Sequence, residues 1–424
     1  MRRIASARRL ALDVSPLRDS VPYRAIWLGQ VVSLIGTQMR YVAVPVQVFN
    51  LTGSTAAVGL IGLAELVPLV FFSIAGGALA DRMDRRRLIA WTLVGSLVSS
   101  GALALVALPA RPSLAAIYAL TASSSAFNAL ERPARTAMLP ALVGEHRIPA
   151  AMALRQVVFQ VTNIVGPLIG GALIAAFPFS VVYGLDAITF VAALVALRWV
   201  PPAPPEASAE TAVAEVGEPA TSGWSSVREG LAYSFRTPLV LSIFLIDLGA
   251  MVFGMPRAVF PALAAEVFEL GPGGVALLYA APSAGALLGA ITTGWVPRVR
   301  RQGRAVIVAV VLWGVFITLA GLTLFSLPLT LACLALAGAA DVVSAVLRGT
   351  ILVRATPDAL RGRVSAANLM IVTGGPRLGD VEAGLVASLV GAPASVVVGG
   401  LACLATTALI AVGFPALRSY RTPA

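Results

Sequence analysis

Apolar runs of about 20 residues recur along the whole chain, and the charged residues collect in short stretches between them. A run of that length crosses ~30 Å of hydrocarbon as a helix rising 1.5 Å per residue. The pattern predicts helices near 24–50, 55–80, 87–109, 113–131, 150–177, 180–199, 238–264, 273–297, 304–325, 328–351, 364–389 and 393–416. A membrane barrel would show ~10-residue alternating segments instead, and these are absent. The expected fold class is an all-α membrane protein with twelve transmembrane helices.

Composition agrees. Mean hydropathy is +0.88. Charged residues make up 12% of the chain, against about 25% in a soluble domain. All 31 basic residues are arginine. They cluster in the first nine residues, at 82–87, 132–147, 298–304 and 354–363, whereas the opposite turns carry only Arg111. The positive-inside bias then predicts that both termini, 1–23 and 417–424, are cytoplasmic, in a bacterial inner membrane. The net charge of +11 follows from topology and attraction to anionic lipids, and calls for no nucleic acid. Cys333 and Cys403 fall in apolar spans, and His146 is the single histidine. With no HExxH, GxSxG or P-loop pattern, neither an enzyme nor a bound metal or cofactor is expected. A proton gradient is the expected energy source, and a monomer the expected form.

The pattern divides in two. Residues 201–222, rich in Pro, Ala and Glu, read as a flexible linker between helices six and seven. Beyond it, Trp224, Val227, Leu231 and Phe235 fall at helical spacing and predict an interfacial helix within a cytoplasmic segment 201–237. The halves, 24–200 and 238–416, echo each other. GGALADRMDRRRLI after the second span corresponds to GWVPRVRRQGRAVI after the eighth, and GPLIGG at 166–171 to GPRLGD at 375–380. Two pseudo-symmetric six-helix bundles with a binding site at their interface are a known transporter plan.

The stretch from Gly77 to Arg86, GxxxDRxxRR, resembles the signature of the major facilitator superfamily between its second and third helices. Asp84 stands where glycine is usual, and the second-half copy has Arg298 in place of the aspartate. AVPVQVFNLTGST, PRAVFPALA, ALLYAAPSAGALLGAITTGW and TPDALRGRVSAANLM are similar to the enterobactin-exporter branch, which also holds macrolide-efflux-like members. The resemblance implies a conformational latch made by Gly77, Asp81, Arg82, Arg85 and Arg86. It also implies that Gly77 lets the second span approach the eleventh closely. A plain topology anchor is the simpler reading of the same residues.

Charges inside apolar spans are costly and normally face a cavity or a partner. Arg40 and Glu65 both fall ~15 Å deep from the outer side, which predicts an Arg40–Glu65 pair. Asp247 and Asp341 lie near mid-membrane. Arg257 lies further out, and Arg377, Asp380 and Glu382 cluster in the eleventh span. The acids Glu65, Asp247, Asp341, Asp380 and Glu382 are candidates for proton coupling, or for structural ion pairs. Arg40, Arg257 and Arg377 are candidate charge partners or binders of anionic cargo. Asp186 reads as an interfacial residue. Gly166-Pro167 and Gly375-Pro376 are candidate helix bends.

The function that follows is proton-coupled efflux of a small organic molecule, siderophore-like by resemblance. A multidrug or macrolide pump is the nearest alternative. An uncoupled facilitator or a lipid translocator is the alternative of another class. Small-molecule cargo, protons and membrane lipids are the expected partners.

Overall fold

The computed structural model describes residues 13–203 and 224–421, and among them there is helix and no strand. The long helices, in chain order, are α1 Val21–Thr52, α2 Thr55–Arg82, α3 Arg85–Val106, α4 Leu114–Val143, α5 Ile148–Ala176, α6 Phe179–Ala196, α7 Pro238–Phe253, α8 Gly271–Thr292, α9 Gln302–Leu322, α10 Leu327–Ala355, α11 Arg361–Val390 and α12 Ala392–Gly413. Several begin at caps that the sequence carries openly. Ser20, Ser54, Asp84 and Ser113 each accept a hydrogen bond from the backbone three residues on. Gly53, at φ 60°, ends α1 in the left-handed conformation that glycine permits.

Nine helices among the described residues are long and apolar enough to cross a membrane. They include α7 taken with its continuation to Val267. The helices α1, α4 and α11 fall short of that mark, and charged residues within them lower their hydropathy: Arg40 on α1, Glu131, Arg132 and Arg135 on α4, and Arg377, Asp380 and Glu382 on α11.

Three predicted boundaries need correction. The continuous helix of the seventh span stops at Phe253 and not at 264. Gly254 and Pro256 break it, and the indole Nε1 of Trp313 donates to the freed Gly254 carbonyl at 3.0 Å. A short 3-10 turn, Arg257–Val259, and a π turn, Leu263–Val267, follow. The helix α4 runs on to Val143 and α10 to Ala355, so residues taken as span ends lie inside. Both Gly-Pro steps sit within continuous helices, α5 and α11. Gly166 there makes room for Gln38 and the Ile35 carbonyl, and Gly375 for Met251.

Most of the predicted linker lies outside the described residues. The expected amphipathic helix is present as Trp224–Arg236. It rests on the start of α11: Glu229 pairs with Arg363 at 2.5 Å, and Ser234 is buried while Phe235 is 67% exposed.

Helix pairings repeat along the chain. α1 packs on α5 and α6, as α7 packs on α11 and α12. α2 packs on α4 as α8 does on α10, and α3 on α4 and α6 as α9 does on α10 and α12. First-half and second-half helices meet chiefly through α2 on α11 and α5 on α8.

Candidate functional site

The buried charges fall into three groups. In the first, Arg40 projects from α1 among helices of its own half. Its Nη1 donates to Ser100 Oγ at 3.0 Å and Ser124 Oγ at 2.6 Å. Its Nε lies 3.6 Å from Asp186 Oδ2, which also accepts from Ser100 Oγ at 2.7 Å. Arg40 is 6% exposed and Asp186 is fully buried. The Arg40–Glu65 pairing is therefore wrong, and so is the reading of Asp186 as interfacial. Arg40 turns toward α6, where a carboxylate and two serines satisfy it, while Glu65 faces the other half of the molecule.

The second group holds α7 to α10. Arg348 Nη2 lies 2.8 Å from Asp247 Oδ1 and 3.8 Å from Asp341 Oδ1. The closer contact is a buried charge pair. Arg348 Nη1 donates to Ser344 Oγ at 2.9 Å. Asp247 and Arg348 are 1% and 4% exposed. A buried pair of this kind fixes helix position, because removing one partner strands the other charge.

The third group joins the two halves of the chain. Arg377 on α11 donates from Nε to Glu65 Oε2 on α2 at 3.2 Å and from Nη2 to the Tyr41 hydroxyl on α1 at 2.8 Å. It also lies over the Tyr41 ring, 5.9 Å from the centroid. One turn on, Asp380 sits 3.8 Å from Arg257 of the broken α7 segment. The approach is close because α2 offers glycines: a Cβ on Gly59 would stand 2.7 Å from the Asp380 carbonyl, and one on Gly62 would run into that of Arg377. Thr55 Oγ1 adds a bond to the Gly384 carbonyl at 3.1 Å. Gly171 of α5 fits against Ala276 and Pro272 of α8.

These approaches all lie toward the end of the molecule that carries the 52–55 turn. Toward the opposite end, a Cβ on Gly77, Gly349 or Gly362 would meet nothing within 4 Å. Gly77 thus does not seat α2 on α11 here, and Gly59 and Gly62 do so about four to five turns away. Glu382 makes no ion pair or hydrogen bond among the described residues and is half-buried.

The signature turn is ordered by its atypical residue. Asp84 Oδ1 caps α3 through Arg87 N at 2.9 Å, and Oδ2 accepts from Ala203 N at 3.0 Å. Arg85 N returns a bond to the Ala203 carbonyl at 2.9 Å, and its Nη1 reaches the Ala137 carbonyl at 3.1 Å. Arg82 is exposed and Arg86 half-buried. The Asp81 side chain lies outside the described residues.

Two further arginines, Arg132 and Arg155, carry exposed charge on first-half helices. Arg132 on α4 is exposed, yet within Coulombic reach of Arg377, Tyr41 and Arg155. Arg155 on α5 is exposed and donates to Thr136 Oγ1 at 3.0 Å. Neither makes an ion pair among the described residues, whereas Glu131 is engaged by Arg135. Arg132 was hidden because it falls in the 132–147 arginine cluster, which reads as a cytoplasmic turn, whereas α4 runs on to Val143.

The family described as transmembrane secretion effector matches residues 11–421. The chain belongs to that family. It is a multi-pass membrane transporter of the major facilitator type, not an enzyme. It is 30% identical to the enterobactin exporter EntS of Citrobacter koseri over 417 residues, covering 97% of this chain and 96% of the relative. The same protein of Escherichia coli O1:K1 matches at 30% over 418 residues, with the same coverage. Among solved structures, a bacterial homologue of the iron transporter ferroportin in an inward-facing state superposes with a TM-score of 0.70 at 15% identity, covering 92% of this chain and 98% of that one. A bacterial homologue of the lysosomal transporter Spinster gives 0.71 at 16%, covering 95% and 98%.

Proposed function

We propose that the protein exports an anionic, siderophore-like small molecule across the bacterial inner membrane by proton-driven alternating access. The helices α1–α12 span the membrane as two six-helix bundles, and a single chain is the working unit. Repetition of every major helix pairing between the halves supports the two-bundle arrangement. Arginine placement supports cytoplasmic termini. With that orientation the 52–55 end is external, so the halves touch outside and part inside, the arrangement of an inward-facing state. The similarity to the two enterobactin exporters supports the class of cargo.

The observation that carries this reading is the Glu65–Arg377–Tyr41 junction between the halves. It lies at the inner edge of the external contact zone, so a cargo entering from the cytoplasm reaches it last. Arg132 and Arg155 line the way there without carboxylate partners. Desolvated guanidinium groups bind carboxylate and phenolate oxygens in bidentate fashion. Such an oxygen competes with Glu65 for Arg377 and releases the contact that closes the outside. The freed Glu65 carboxylate then takes a proton from the external side, and that proton must leave to the cytoplasm before the Glu65–Arg377 contact re-forms. Glu65 and Asp380 are thereby the coupling acids. Arg40–Asp186 and Arg348–Asp247 hold each bundle rigid while it rocks.

Proteoliposomes with an imposed pH gradient test this directly. Catecholate siderophore should move against its gradient, and the flux should stop when a protonophore collapses the pH difference. Flux indifferent to that collapse would make the protein an uncoupled facilitator. Movement of macrolides with no movement of catecholates would make it a drug pump.

A further inference from the structure

A second basic recess lies far from the junction, at the opposite end of the second-half helices. It is a cavity of about 700 Å³ to which the start of α7, the end of α10, the start of α11 and the chain beyond α12 each contribute. Its size falls in the range of small-ligand cavities, roughly 300–1,000 Å³. Arg354, Arg361 and Arg421 converge on it, together with Thr237, Leu239 and Tyr420.

The charge there is largely unspent. Arg361 is met by Asp358 at 2.8 Å, an 86% exposed carboxylate, and by the Val353 carbonyl at 3.1 Å. Arg354 and Arg421 make no ion pair among the described residues. Thr237 stands at the cap position of α7 but its hydroxyl makes no capping bond. The recess is also built rather than accidental. Leu417 is fully buried and its carbonyl closes on Gly303 of α9, which seats the tail that carries Tyr420 and Arg421. From the amphipathic helix, the Tyr233 hydroxyl donates to the Ala355 carbonyl at 3.3 Å and steadies the end of α10.

We infer that this recess binds the phosphate of an anionic lipid headgroup. Three guanidiniums from three chain segments suit a phosphate's several oxygens. Beside them the recess is apolar. Leu239 lines it, and Val353, next to Arg354, is 55% exposed. An acyl chain can follow that surface, and a free phosphate ion has no use for it. A lipid held there ties α7, α10, α11 and the tail together at the end where the halves part. The inference does not depend on the cargo and stands or falls separately from the transport reading.

The test uses purified, delipidated full-length protein titrated with phosphatidylglycerol or phosphatidylcholine, followed by native mass spectrometry and thermal melting. Phosphatidylglycerol should be retained about tenfold more than phosphatidylcholine and should raise the melting temperature. The double variant R354Q/R421Q should lose that preference while melting as the wild type does without lipid. If it fails to fold, Arg421→Gln alone, on the tail, gives the same readout at smaller amplitude. Losing two arginines beside an anionic headgroup should weaken retention at least tenfold. Equal retention of both lipids, or a preference unchanged in the variants, would overturn the inference. Inorganic phosphate reproducing the melting shift would reassign the recess to a soluble anion.

Discussion

The junction between Arg377 and Glu65 offers the sharpest perturbation. Glu65→Gln keeps the side-chain length and one acceptor for Arg377 Nε, and removes only the charge. A hydrogen bond to an ionised partner is worth about 1.5–3 kcal/mol and a neutral one about 0.5–1.5. The difference, about 1–1.5 kcal/mol, applies only to the state in which α2 and α11 touch. It shifts the balance between outer-closed and outer-open forms roughly fivefold to tenfold toward opening. Both partners are largely enclosed, at 11% and 15% side-chain exposure, so solvent screening subtracts little. Glu65→Ala goes further, since it leaves Arg377 with Tyr41 and the Thr373 carbonyl alone and costs about 3–5 kcal/mol. Spin labels at Asn50 and Ser388, both exposed toward the end that carries the 52–55 turn, read the outcome by pulsed electron resonance. Cys333 is replaced first, and Cys403, fully buried, does not label. The longer-distance population should grow fivefold to tenfold in Glu65→Gln and dominate in Glu65→Ala. Identical distance distributions in all three proteins would refute the idea that this pair closes the outside.

Other perturbations separate the remaining roles. Arg348→Ala strands the buried Asp247 and should lower stability by about 3–5 kcal/mol, seen as a large drop in detergent melting temperature; adding Asp247→Asn should recover part of it. Gly62→Leu drives a side chain into the Arg377 carbonyl and should cut flux at least tenfold, whereas Gly77→Ala, with open space around it, should transport as the wild type. Arg132→Gln and Arg155→Gln should each raise the KM for anionic cargo severalfold and leave that for a neutral analogue unchanged. Asp81→Asn should impair transport with membrane insertion intact, and normal flux would reduce the signature to a topology anchor.

The helix positions were plain in the sequence because a bilayer enforces run length. α2, α3, α5 and α9 start and stop close to where the apolar pattern does. Partners were another matter. Helical depth alone suggested Arg40 with Glu65, since both sit at one level below the surface. Depth says nothing about azimuth, and the two side chains point to different neighbours. Serines could have signalled the true arrangement. Ser99, Ser100, Ser123, Ser124 and Ser125 are polar groups in otherwise apolar runs, and Ser100 and Ser124 are the ones that receive Arg40. Arg348 went unremarked because it stands close to the predicted end of the tenth span at 351. Its helix runs on to Ala355, which carries the arginine into the interior. The break after Phe253 was legible in Gly254 and Pro256, yet the run of apolar residues beyond them concealed it. Gly77 misled because its signature belongs to a contact at the end of the molecule that stands open here.

The concentration of charge on α11 bears on how the protein is made. Arg377, Asp380 and Glu382 fall within six residues, and a translocon weighs each at about 2.5–3.5 kcal/mol near a helix centre. A lone α11 would therefore be rejected from the lateral gate toward water. It becomes acceptable to lipid only after α2 has supplied Glu65 and the α7 segment Arg257, both synthesised earlier. Biogenesis of this chain is then a matter of order. The most charged helix comes next to last, when the partners of Arg377 and Asp380 are already waiting in the membrane.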